Sequence, residues 1–556
     1  MNVLGINAVF HDSSAALVQN GRIVAAAEEE RFSRRKHGKP CVPFSAWELP
    51  VQSAAWALDD AGLRTDDVDA VAYSYDPDLA PAVVGDDITQ SEWEGLRTLF
   101  ARRFPNFLKT ALPGIERARV EFVPHHVAHA ASAYLAAPFD RCAVLVLDGR
   151  GESSSGLLGV ARKGALEILA TRTLPHSLGL LYEELTAHLG FHRSSDEYKV
   201  MGLAGYGRPR FINRLRELVR VDGPLFTVGP VDLSEFAPPR LDGQAFESEH
   251  ADLACSVQQR LEEVLLELAG WLARETGETN IAMAGGVALN CVANARLAAE
   301  GPFERVWVQP AAGDAGTALG AALYVAHKYG DRVEPMHTAA LGRAWDDAQI
   351  ERWLQTARIP YTRSADIARE VARTIADDGI VAWFQGRSEF GPRALGHRSL
   401  LANPRYARNL ERLNDVKGRE QFRPVAPMVL EERAPEIFIG QLPSPFMLFT
   451  HSVREEWRER IAAAVHVDGS ARIQTVNRDE EPLVARMLDE VERLTGTPVV
   501  INTSLNTAGR PMVDDVRDAL ECFGSAPIDL LAIGSFAIRR PEAFAGARER
   551  ELTATP

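Results

Sequence analysis

Two histidines one helical turn apart have the residue type and spacing of a metal site. His125 and His129 lie in the alanine-rich segment FVPHHVAHAASAYLAA, which is typical of a helix. Residues four apart share one helix face, so both imidazoles can reach the same ion. The same spacing also suits two buried histidines that only form hydrogen bonds, and His126 shares a face with His129 as well. The spacing alone therefore leaves open both metal binding and the choice between His125 and His126.

Two aspartates lie at predicted strand ends, where they could complete such a site. Asp148 ends the apolar run AVLVLD, and Asp314 lies in a glycine-containing turn after Val306–Val308. Carboxylates at strand ends collect where ligands bind in α/β folds. Two imidazoles and two carboxylates form a donor set of borderline softness, which suits Fe(II), Mn(II) or Zn(II) better than Ca(II). Either aspartate could instead only cap a helix or form a turn.

A second group of candidate residues is basic and lies beyond residue 380. Arginine binds phosphate or carboxylate through two parallel hydrogen bonds, and lysine adds a point charge. In so acidic a chain, a basic cluster beside the polar segment INTSLN predicts a site for a small polyanion, although any one arginine could belong to a solvated surface. The members are Arg387, Arg393, Arg398, Lys417, Arg419, Arg423 and Arg472, with Asn502, Ser504 and Asn506 in INTSLN.

Repeated β-meanders are the elements expected to position the first group. Three apolar runs fill the first thirty residues, and Asn20-Gly21 between the last two favours a type I′ hairpin turn. The segment AVLVLDGRGESSSGLLGVARKGALEIL has the same order, with Lys163-Gly164 at the second turn. Loops rich in glycine and serine let backbone N–H groups approach a phosphate. The repetition predicts a duplicated nucleotide-binding architecture, although two unrelated meanders can look alike in one sequence.

Strands followed by glycine turns and helices predict an α/β fold. Ile281–Ala284 precedes Gly285-Gly286 and a predicted helix over Ala288–Leu297. Val306–Val308 precedes a loop with Gly313 and a predicted helix over Thr317–His327. Both patterns place a helix N-terminus where an anion or nucleotide can bind.

Length and composition limit the class of protein. The 556 residues exceed the roughly 250–300 that one hydrophobic core supports, so two or three domains are expected. A net charge of −15 disfavours nucleic acid as a partner. The five cysteines form no CxxC pair, which argues against a zinc ribbon and a disulfide framework. Without a signal peptide or a run of ~18 apolar residues, the chain is predicted to be cytoplasmic, with no membrane partner, and a homodimer is one assembly it could form.

Nine segments in order resemble the O-carbamoyltransferase family of antibiotic biosynthesis, which includes the tobramycin carbamoyltransferase. They are NVLGINAVFHDSSAALV, AEEERFSRRKHG, HHVAHAASAY, VLDGRGE, EYKVMGLAGYG, AGGVALN, GRSEFGPRALGHRSLL, VKGRE with RPVAP, and INTSLN. The resemblance covers nearly the whole chain. It implies an actin-like ATPase domain of duplicated ribonuclease-H-like type over 1–345 and a YrdC-like α/β domain over 346–556.

The same resemblance implies the reaction and its cosubstrates. The YrdC-like domain would condense carbamoyl phosphate with ATP, accompanied by Mg²⁺, to carbamoyladenylate and pyrophosphate. The actin-like domain would pass the carbamoyl group to a hydroxyl of a natural product. The adenylate site would consist of Arg393, Lys417, Arg423, Arg472, Asn502 and Ser504. Nucleotide in the actin-like domain would lie against Gly285, Gly286, Asn290 and Gly313.

For the transfer site the resemblance implies Fe(II) bound by residues that match His125, His129, Asp148 and Asp314, which favours His125 over His126. His11 holds the family's N-terminal histidine position. An imidazole near its reference pKa can take the proton of the acceptor hydroxyl, although His11 could instead contact substrate. Asp12 would orient His11 or a nucleotide.

Three other functions use similar folds. A tRNA threonylcarbamoyl-transfer fusion is disfavoured by the acidic chain. A hydrogenase-maturation carbamoyltransferase would normally carry zinc-finger CxxC pairs, and an ATP-regulated binding protein would not explain the basic cluster. The acceptor stays open among aminoglycosides, macrolides or other polyketides, nucleosides and cephems. The segment between about Pro209 and Glu249, predicted to be loop-rich, is the candidate lining of the acceptor pocket.

Overall fold

The computed structural model describes residues 1–38, 48–80, 88–241 and 243–544. The chain divides into two compact units, Met1–Ala339 and Ala340–Pro556. The boundary predicted from the sequence lies a few residues later, between 345 and 346. Both units combine helices with sheets, as the predicted α/β class requires. Among the helices of the described residues, none has the length and apolar character needed to cross a membrane.

The first unit contains two five-stranded sheets with the same topology. In each, three consecutive strands pair antiparallel and two further strands extend the sheet in parallel from the first of the three. The strands are β1 (Asn2–Asn7), β2 (Ser14–Gln19), β3 (Arg22–Glu28), β4 (Ala70–Tyr73), β5 (Arg119–Phe122), β6 (Arg141–Leu147), β7 (Ser154–Arg162), β8 (Ala165–Thr173), β9 (Val219–Asp222), β10 (Leu225–Val228), β11 (Asn280–Ala284) and β12 (Arg305–Val308). The orders are β3-β2-β1-β4-β5 and β8-β7-β6-β11-β12, with β9 and β10 as a separate hairpin. This repeat is the duplicated ribonuclease-H-like arrangement of an actin-like domain.

Two helices lie between the sheets and carry much of the site. The helices of this unit are α1 (Glu30–Ser33), α2 (Val51–Asp60), α3 (Ile88–Ala111), α4 (His125–Tyr134), α5 (Leu178–His188), α6 (Glu197–Ala204), α7 (Ile212–Leu218), α8 (Ser248–Thr276), α9 (Cys291–Glu300) and α10 (Ala315–Lys328). Helix α10 packs on β1 and β2, α4 packs on β6 and β11, and the two helices pack against each other. The approach is close, because a Cβ at Gly320 would overlap the carbonyl of Ala128.

The hairpin turns form as the sequence predicts. Asn20 and Gly21 have φ values of 52° and 80°, and Lys163 and Gly164 have 53° and 79°. Positive φ at both central residues is the mark of a type I′ turn.

Two boundaries differ from the sequence prediction. The α-helix after Gly286 begins at Cys291 rather than Ala288, because the Asn290 side chain accepts a hydrogen bond from Ala293 N and caps it. The segment 209–249 is less loop-rich than expected, since it contains α7 and the β9–β10 hairpin, whose turn has Gly223 at φ 58°. Residue 242 of that segment lies outside the described part of the chain.

The second unit is built on one eight-stranded mixed sheet, as expected of a YrdC-like domain. Its strands are β13 (Thr362–Arg363), β14 (Val381–Phe384), β15 (Arg398–Ala402), β16 (Ala426–Leu430), β17 (Phe438–Ile439), β18 (Thr450–Val453), β19 (Ser470–Arg472), β20 (Gln474–Val476), β21 (Val499–Ser504), β22 (Leu530–Ile533) and β23 (Phe536–Arg539). The large sheet has the order β13-β23-β22-β14-β15-β21-β16-β20, and β17-β18-β19 form a small antiparallel sheet.

Helices cover both faces of the large sheet. They are α11 (Asp347–Ala357), α12 (Ile367–Ala376), α13 (Arg408–Val416), α14 (Ala434–Ile437), α15 (Glu455–Arg458), α16 (Pro482–Thr495), α17 (Val516–Ser525) and α18 (Arg540–Ala543). Alternate residues of β14 enter opposite cores, with Val381 and Trp383 on one side and Ala382 and Phe384 on the other. A strand buried on both faces explains why this segment reads as a continuous apolar run.

Candidate active site

Helix α4 directs two fully buried histidines toward two buried carboxylates. His125 Nε2 lies 3.5 Å from Asp148 Oδ2 and 3.6 Å from Asp314 Oδ1. His129 Nε2 lies 3.7 Å and 3.5 Å from the same two atoms. The four ligand atoms all lie within 4.8 Å of one another. The structure thus brings together, from three separate segments, the four residues that the sequence predicts as ligands.

Neither aspartate serves only to cap a helix or to form a turn. Asp148 follows β6, and its Oδ1 accepts a hydrogen bond of 2.8 Å from the backbone N–H of Gly286. Asp314 immediately precedes α10, but its side chain makes no capping hydrogen bond. Its carboxylate instead faces the histidines, so the turn and the cap do not account for it.

The unsatisfied nitrogen atoms test whether a metal ion fits here. Nε2 of His125 and Nε2 of His129 are both buried without a hydrogen-bond partner among the described residues. His125 Nδ1 lies 3.2 Å from the carbonyl oxygen of Ser74, to which its N–H can donate, leaving the Nε2 lone pair free. Orphaned imidazole nitrogens beside two carboxylates are what a divalent transition metal requires, so the donor set fits one.

The charges at this centre favour cation binding. Burial by itself lowers the pKa of His125, but Asp148 and Asp314 raise it to about 10. Burial raises the pKa of Asp148, whereas His125 and His129 hold it well below its usual range. Without an ion, protons on the histidines therefore compensate the carboxylates, and a divalent cation would compete with those protons for the same place.

His126 has a different environment from its neighbours. Its Nδ1 lies 2.7 Å from Ser154 Oγ, and its Nε2 approaches Asp148 at 3.9 Å. Burial and the nearby His125 lower the pKa of His126 to about 3, so its imidazole is neutral. The geometry groups His125, and not His126, with His129.

His11 reaches the same centre from the β1–β2 loop. Its Nε2 lies 3.7 Å from Asp314 Oδ2, and its Nδ1 lies 3.0 Å from Asp12 Oδ2. Without a bound cation, the pKa of His11 departs from its reference value. Burial lowers the pKa of His11, but Asp314 and Asp12 together raise it well above 6.5. A cation bound by Asp314 would offset that carboxylate and bring the pKa of His11 down again.

A buried polar chain ties His11 and His125 to the same strands. Asn7 Nδ2 donates to the carbonyl oxygens of both His11 and Asp12 at 3.0 Å. Its Oδ1 accepts from Ser74 Oγ at 3.3 Å, and the Ser74 carbonyl faces His125. The adjacent ends of β1 and β4 therefore set the positions of both histidines.

The glycine turns approach the centre through their backbones. Gly285 has φ +92°, and its N–H donates to the carbonyl of Ala312, beside Gly313. Gly286 binds Asp148 as described above. The Asn290 side chain, predicted to face a nucleotide, is occupied by the helix cap and by Gln258. Gly285, Gly286 and Gly313 thus stay candidates for a nucleotide contact through backbone atoms.

Gly285→Ala is expected to destabilise the first unit by about 2 kcal/mol or more. A Cβ there would overlap the carbonyl of Leu147, and the positive φ adds strain. Gly277→Ala is the matched control, because Gly277 also has positive φ, at +66°, but has open space around it. The control should lose only about 1 kcal/mol. Chemical denaturation of both variants measures the difference, and equal losses would contradict the close approach.

Loading the centre with Fe(II), Mn(II) or Zn(II) after chelation is expected to raise the Tm. A ligand that binds only the folded state stabilises it by about 2.7 kcal/mol when its free concentration is 100 times Kd. Asp314→Asn should abolish the metal-dependent rise, because it removes one carboxylate from the four-residue set. Differential scanning fluorimetry with metal analysis measures this, and an undiminished rise in the variant would place the metal elsewhere.

In the second unit, the side chain of Lys417 lies against Ser504, the last residue of β21. Lys417 is only 6% exposed, and its Nζ donates to the carbonyl oxygen of Ser504 at 2.6 Å and to Ser504 Oγ at 2.9 Å. It also donates to Asn506 Oδ1. These three partners are neutral oxygens, which fix the position of the ammonium group. Asn506, also in INTSLN, is therefore an additional member of this site.

Asn502 connects two further parts of the predicted anion site. Its Nδ2 donates to the carbonyl of Ala394 at 3.1 Å and to Gln474 Oε1 at 2.7 Å, while its Oδ1 is buried without a hydrogen-bond partner in the described structure. Ala394 follows Arg393, and Gln474 lies two residues after Arg472. Asn502 thus holds the segments that carry both arginines. Sequence reasoning missed Gln474, whose type gives no signal apart from its contacts.

One arginine of the basic cluster is structural, and a second contacts the backbone. Arg398 is 0% exposed, and its guanidinium donates to the carbonyls of Gln385, Gly386 and Arg343. Arg387 donates to the carbonyl of Leu341. The guanidinium of Arg398 is used by its backbone carbonyl partners, which corrects its grouping with an anion site. Sequence alone cannot separate an arginine that satisfies buried carbonyls from one that meets a ligand.

Glu183 is a further carboxyl group close to the two-histidine, two-carboxylate centre. It lies on α5, where its Oε1 would be 3.1 Å from a Cβ at Gly149, next to Asp148. Burial raises the pKa of Glu183 to about 7, although Arg150 and His11 act in the opposite direction. No motif spacing pointed to it, since its approach depends on how α5 packs.

Known proteins are similar in sequence to this chain over almost its full length. The family model described as the carbamoyltransferase N-terminus matches residues 2–323, and that of the carbamoyltransferase C-terminus matches residues 372–540. The chain is 36% identical to the uncharacterized protein sll1178 of Synechocystis sp., over 97% of each chain. It is 38% identical to nodulation protein NolNO of Sinorhizobium fredii, over 96% of this chain and 80% of that protein.

A solved structure adds a more distant likeness. T. kodakarensis HypF is 16% identical, with a TM-score of 0.37, over 60% of this chain and 49% of that one. The two family models and the two relatives confirm the family predicted from the motifs. The chain therefore belongs to the carbamoyltransferase family.

Proposed function

We propose that this chain is an ATP-dependent O-carbamoyltransferase with two half-reactions. The second unit forms carbamoyladenylate from carbamoyl phosphate and ATP, and the first unit transfers the carbamoyl group to a hydroxyl of a natural product. The observation that supports this is the presence, in one carbamoyltransferase chain, of two chemically different sites: a buried two-histidine, two-carboxylate centre and a site around Lys417. Direct transfer from carbamoyl phosphate would need only one of them. The reaction is proposed to occur in the cytoplasm, the compartment that supplies ATP.

The first half-reaction is an adenylation. Carbamoyl phosphate loses its phosphoryl group to water, and the resulting carbamate oxygen bonds to the α-phosphorus of ATP. The bond between the α-phosphorus and the bridging oxygen breaks, and pyrophosphate leaves with its electron pair. Lys417, held by Ser504, is positioned to stabilise the charge that develops on the pyrophosphate. Arg393, Arg423 and Arg472 are proposed to bind the phosphates, with Mg²⁺ accompanying ATP.

The second half-reaction transfers the carbamoyl group. The acceptor oxygen bonds to the carbamoyl carbon, the bond from that carbon to the AMP oxygen breaks, and AMP leaves with the electron pair. His11 Nε2, which faces Asp314, takes the hydroxyl proton once the imidazole is neutral. Asp12 orients His11 through Nδ1. Backbone groups of Gly285, Gly286 and Gly313 are proposed to lie against the AMP moiety.

The residues of the buried centre are proposed to hold Fe(II). His125, His129, Asp148 and Asp314 supply two nitrogen and two oxygen donors in a site closed to bulk water. When bound there, the ion would act as a Lewis acid on a carbamoyl or phosphate oxygen. Among the described residues this is the only such group that is wholly buried, which lowers the local dielectric and strengthens its electrostatic effect.

A screen of acceptor alcohols tests the proposal. The full chain is incubated with carbamoyl phosphate, ATP, Mg²⁺ and aminoglycosides, polyketides, nucleosides or cephems, and products are examined for the mass gain of one carbamoyl group. We propose that residues 209–249, including α7 and the β9–β10 hairpin, line the acceptor pocket. Each transfer should release one AMP, one pyrophosphate and one phosphate. Carbamoylation without ATP would refute the adenylate route.

A further inference from the structure

A chain of four side chains leads from the metal centre to the α5–α6 loop. Ser195 Oγ lies 2.9 Å from His37 Nε2, and His37 Nδ1 lies 2.7 Å from Asp12 Oδ1. Asp12 Oδ2 lies 3.0 Å from His11 Nδ1. We propose that His37 is a positioning residue for carbamoyl transfer, which holds Asp12 in the orientation that directs His11, and that Ser195 fixes His37 in turn. The inference rests on the proposed role of His11 in transfer.

The donors and acceptors in this chain fix which nitrogen of each imidazole faces Asp12. A carboxylate only accepts hydrogen bonds, so both imidazoles must present N–H at Nδ1 to Asp12. When neutral, His11 then has the lone pair of Nε2 on the side of Asp314, 3.7 Å away, where an acceptor hydroxyl would need a base. At Nε2, a neutral His37 accepts from the Ser195 hydroxyl and a protonated His37 donates to it, so the 2.9 Å contact holds in either state. Each of the two Asp12 oxygens has its own imidazole partner, which resists rotation of the carboxylate.

The backbone supports the same arrangement. Asp12 and His37 both have positive φ, 50° and 59°, a conformation that costs free energy for residues other than glycine. Asn7 holds the carbonyl oxygens of His11 and Asp12, and the backbone N–H of His37 donates to Glu30 Oε2 at 2.8 Å. Two strained residues that meet through their side chains indicate a geometry held for function.

The alternative use of these residues is a second metal site. Asp12, Glu30 and His37 offer ligand atoms that lie close enough for one ion. Both ring nitrogens of His37 already have partners, however, in Asp12 and Ser195. A metal here would have to displace one of these hydrogen bonds, so the structure favours positioning over coordination.

His37→Phe is expected to lower the kcat of transfer by roughly 10- to 100-fold, the usual cost of losing a residue that orients an active-site group. The KM for the acceptor should change little, because His37 is not assigned to substrate binding. His37→Asn should restore most of the kcat, since its amide N–H can replace Nδ1–H toward Asp12. Ser195→Ala should have a smaller effect in the same direction. Carbamoyl-phosphate-dependent ATP–pyrophosphate exchange should be unchanged in all three variants.

The outcomes separate this inference from the proposed function. Absence of both ATP–pyrophosphate exchange and carbamoyl transfer in the wild-type chain would count against the proposed function. If the wild type has both activities, a raised KM at constant kcat in the variants would make His37 a substrate contact. An equal loss of kcat in His37→Asn and His37→Phe would make it merely structural. Loss of one bound metal ion per chain in His37→Phe would make it a metal ligand. Each of these results overturns the positioning role.

A measurement without turnover addresses the chain directly. In ¹⁵N-histidine-labelled full-length protein, His11 and His37 should both show protonated Nδ1, and Asp12→Asn should perturb the signals of both. Signals are assigned by single substitution of each histidine. An unprotonated Nδ1 on His37 would overturn the inference, whatever the activity.

Discussion

Replacing His129 with alanine is expected to lower the rate of carbamoyl transfer by roughly 10³-fold or more while leaving carbamoyladenylate formation unchanged. The substitution removes one of the two imidazoles that face Asp148 and Asp314. A Lewis-acid metal contributes several kcal/mol to a barrier, and about 1.4 kcal/mol corresponds to a factor of ten. Transfer is followed by product mass and the first half-reaction by ATP–pyrophosphate exchange, because the two sites lie in different units.

Two histidine variants control for this result. His126→Ala changes the same helix but removes an imidazole whose Nδ1 is bonded to Ser154, so it should keep the metal and most of the transfer rate. His337→Ala removes an exposed histidine of the same unit and should behave as wild type. Loss of exchange as well as transfer in a folded His129→Ala protein would contradict the division of labour between the units.

Lys417→Met is expected to lower both measured activities, unlike His129→Ala, because adenylation supplies the intermediate that transfer uses. Without the ammonium, adenylation should slow by roughly 10²- to 10³-fold, the typical effect of one lost electrostatic contact in a transition state. Transfer then fails for lack of intermediate. Lys417 is the single lysine between residues 340 and 556, where the other basic side chains are arginines and histidines. A compact ammonium, rather than a guanidinium fork, fits the cradle formed by Ser504 and Asn506.

Arg517→Met is the matched control in the second unit. Arg517 lies on an exposed face of α17, where it pairs with Glu521 one turn away. Exposed pairs of this kind contribute little, so the control should retain exchange and transfer. Metal content should be unchanged in both variants, because Lys417 lies outside the unit that holds the metal residues. Full exchange activity in Lys417→Met would remove it from the adenylation site.

Turn chemistry and strand periodicity allow much of the first unit's fold to be predicted from the sequence. Turn chemistry at Asn20-Gly21 and Lys163-Gly164 predicts both meanders, and strand periodicity then gives the duplication. The rule that ligands collect at strand ends predicts the approach of Asp148 and Asp314, although 166 residues separate them.

Side-chain partners far apart in sequence explain what could not be predicted. His37 and Ser195 are 158 residues apart, and although His37 lies in the segment AEEERFSRRKHG, no spacing rule pairs it with Ser195. Arg398 and Arg393 have the same residue type in the same segment, yet burial of neighbouring carbonyls makes Arg398 structural. The raised pKa of His11 also depends on a carboxylate, Asp314, about three hundred residues away along the chain. Such effects arise only once the chain has folded.

Carbamoyl-phosphate-dependent exchange of labelled pyrophosphate into ATP tests the central claim most directly. The full chain is given ATP, Mg²⁺, labelled pyrophosphate and carbamoyl phosphate, with no acceptor present. If the reaction proceeds in two half-reactions, labelled ATP should form only when carbamoyl phosphate is present. Formation of labelled ATP should persist in His129→Ala and be lost in Lys417→Met. If wild-type protein that transfers carbamoyl groups shows no exchange under these conditions, carbamoyladenylate is not the intermediate.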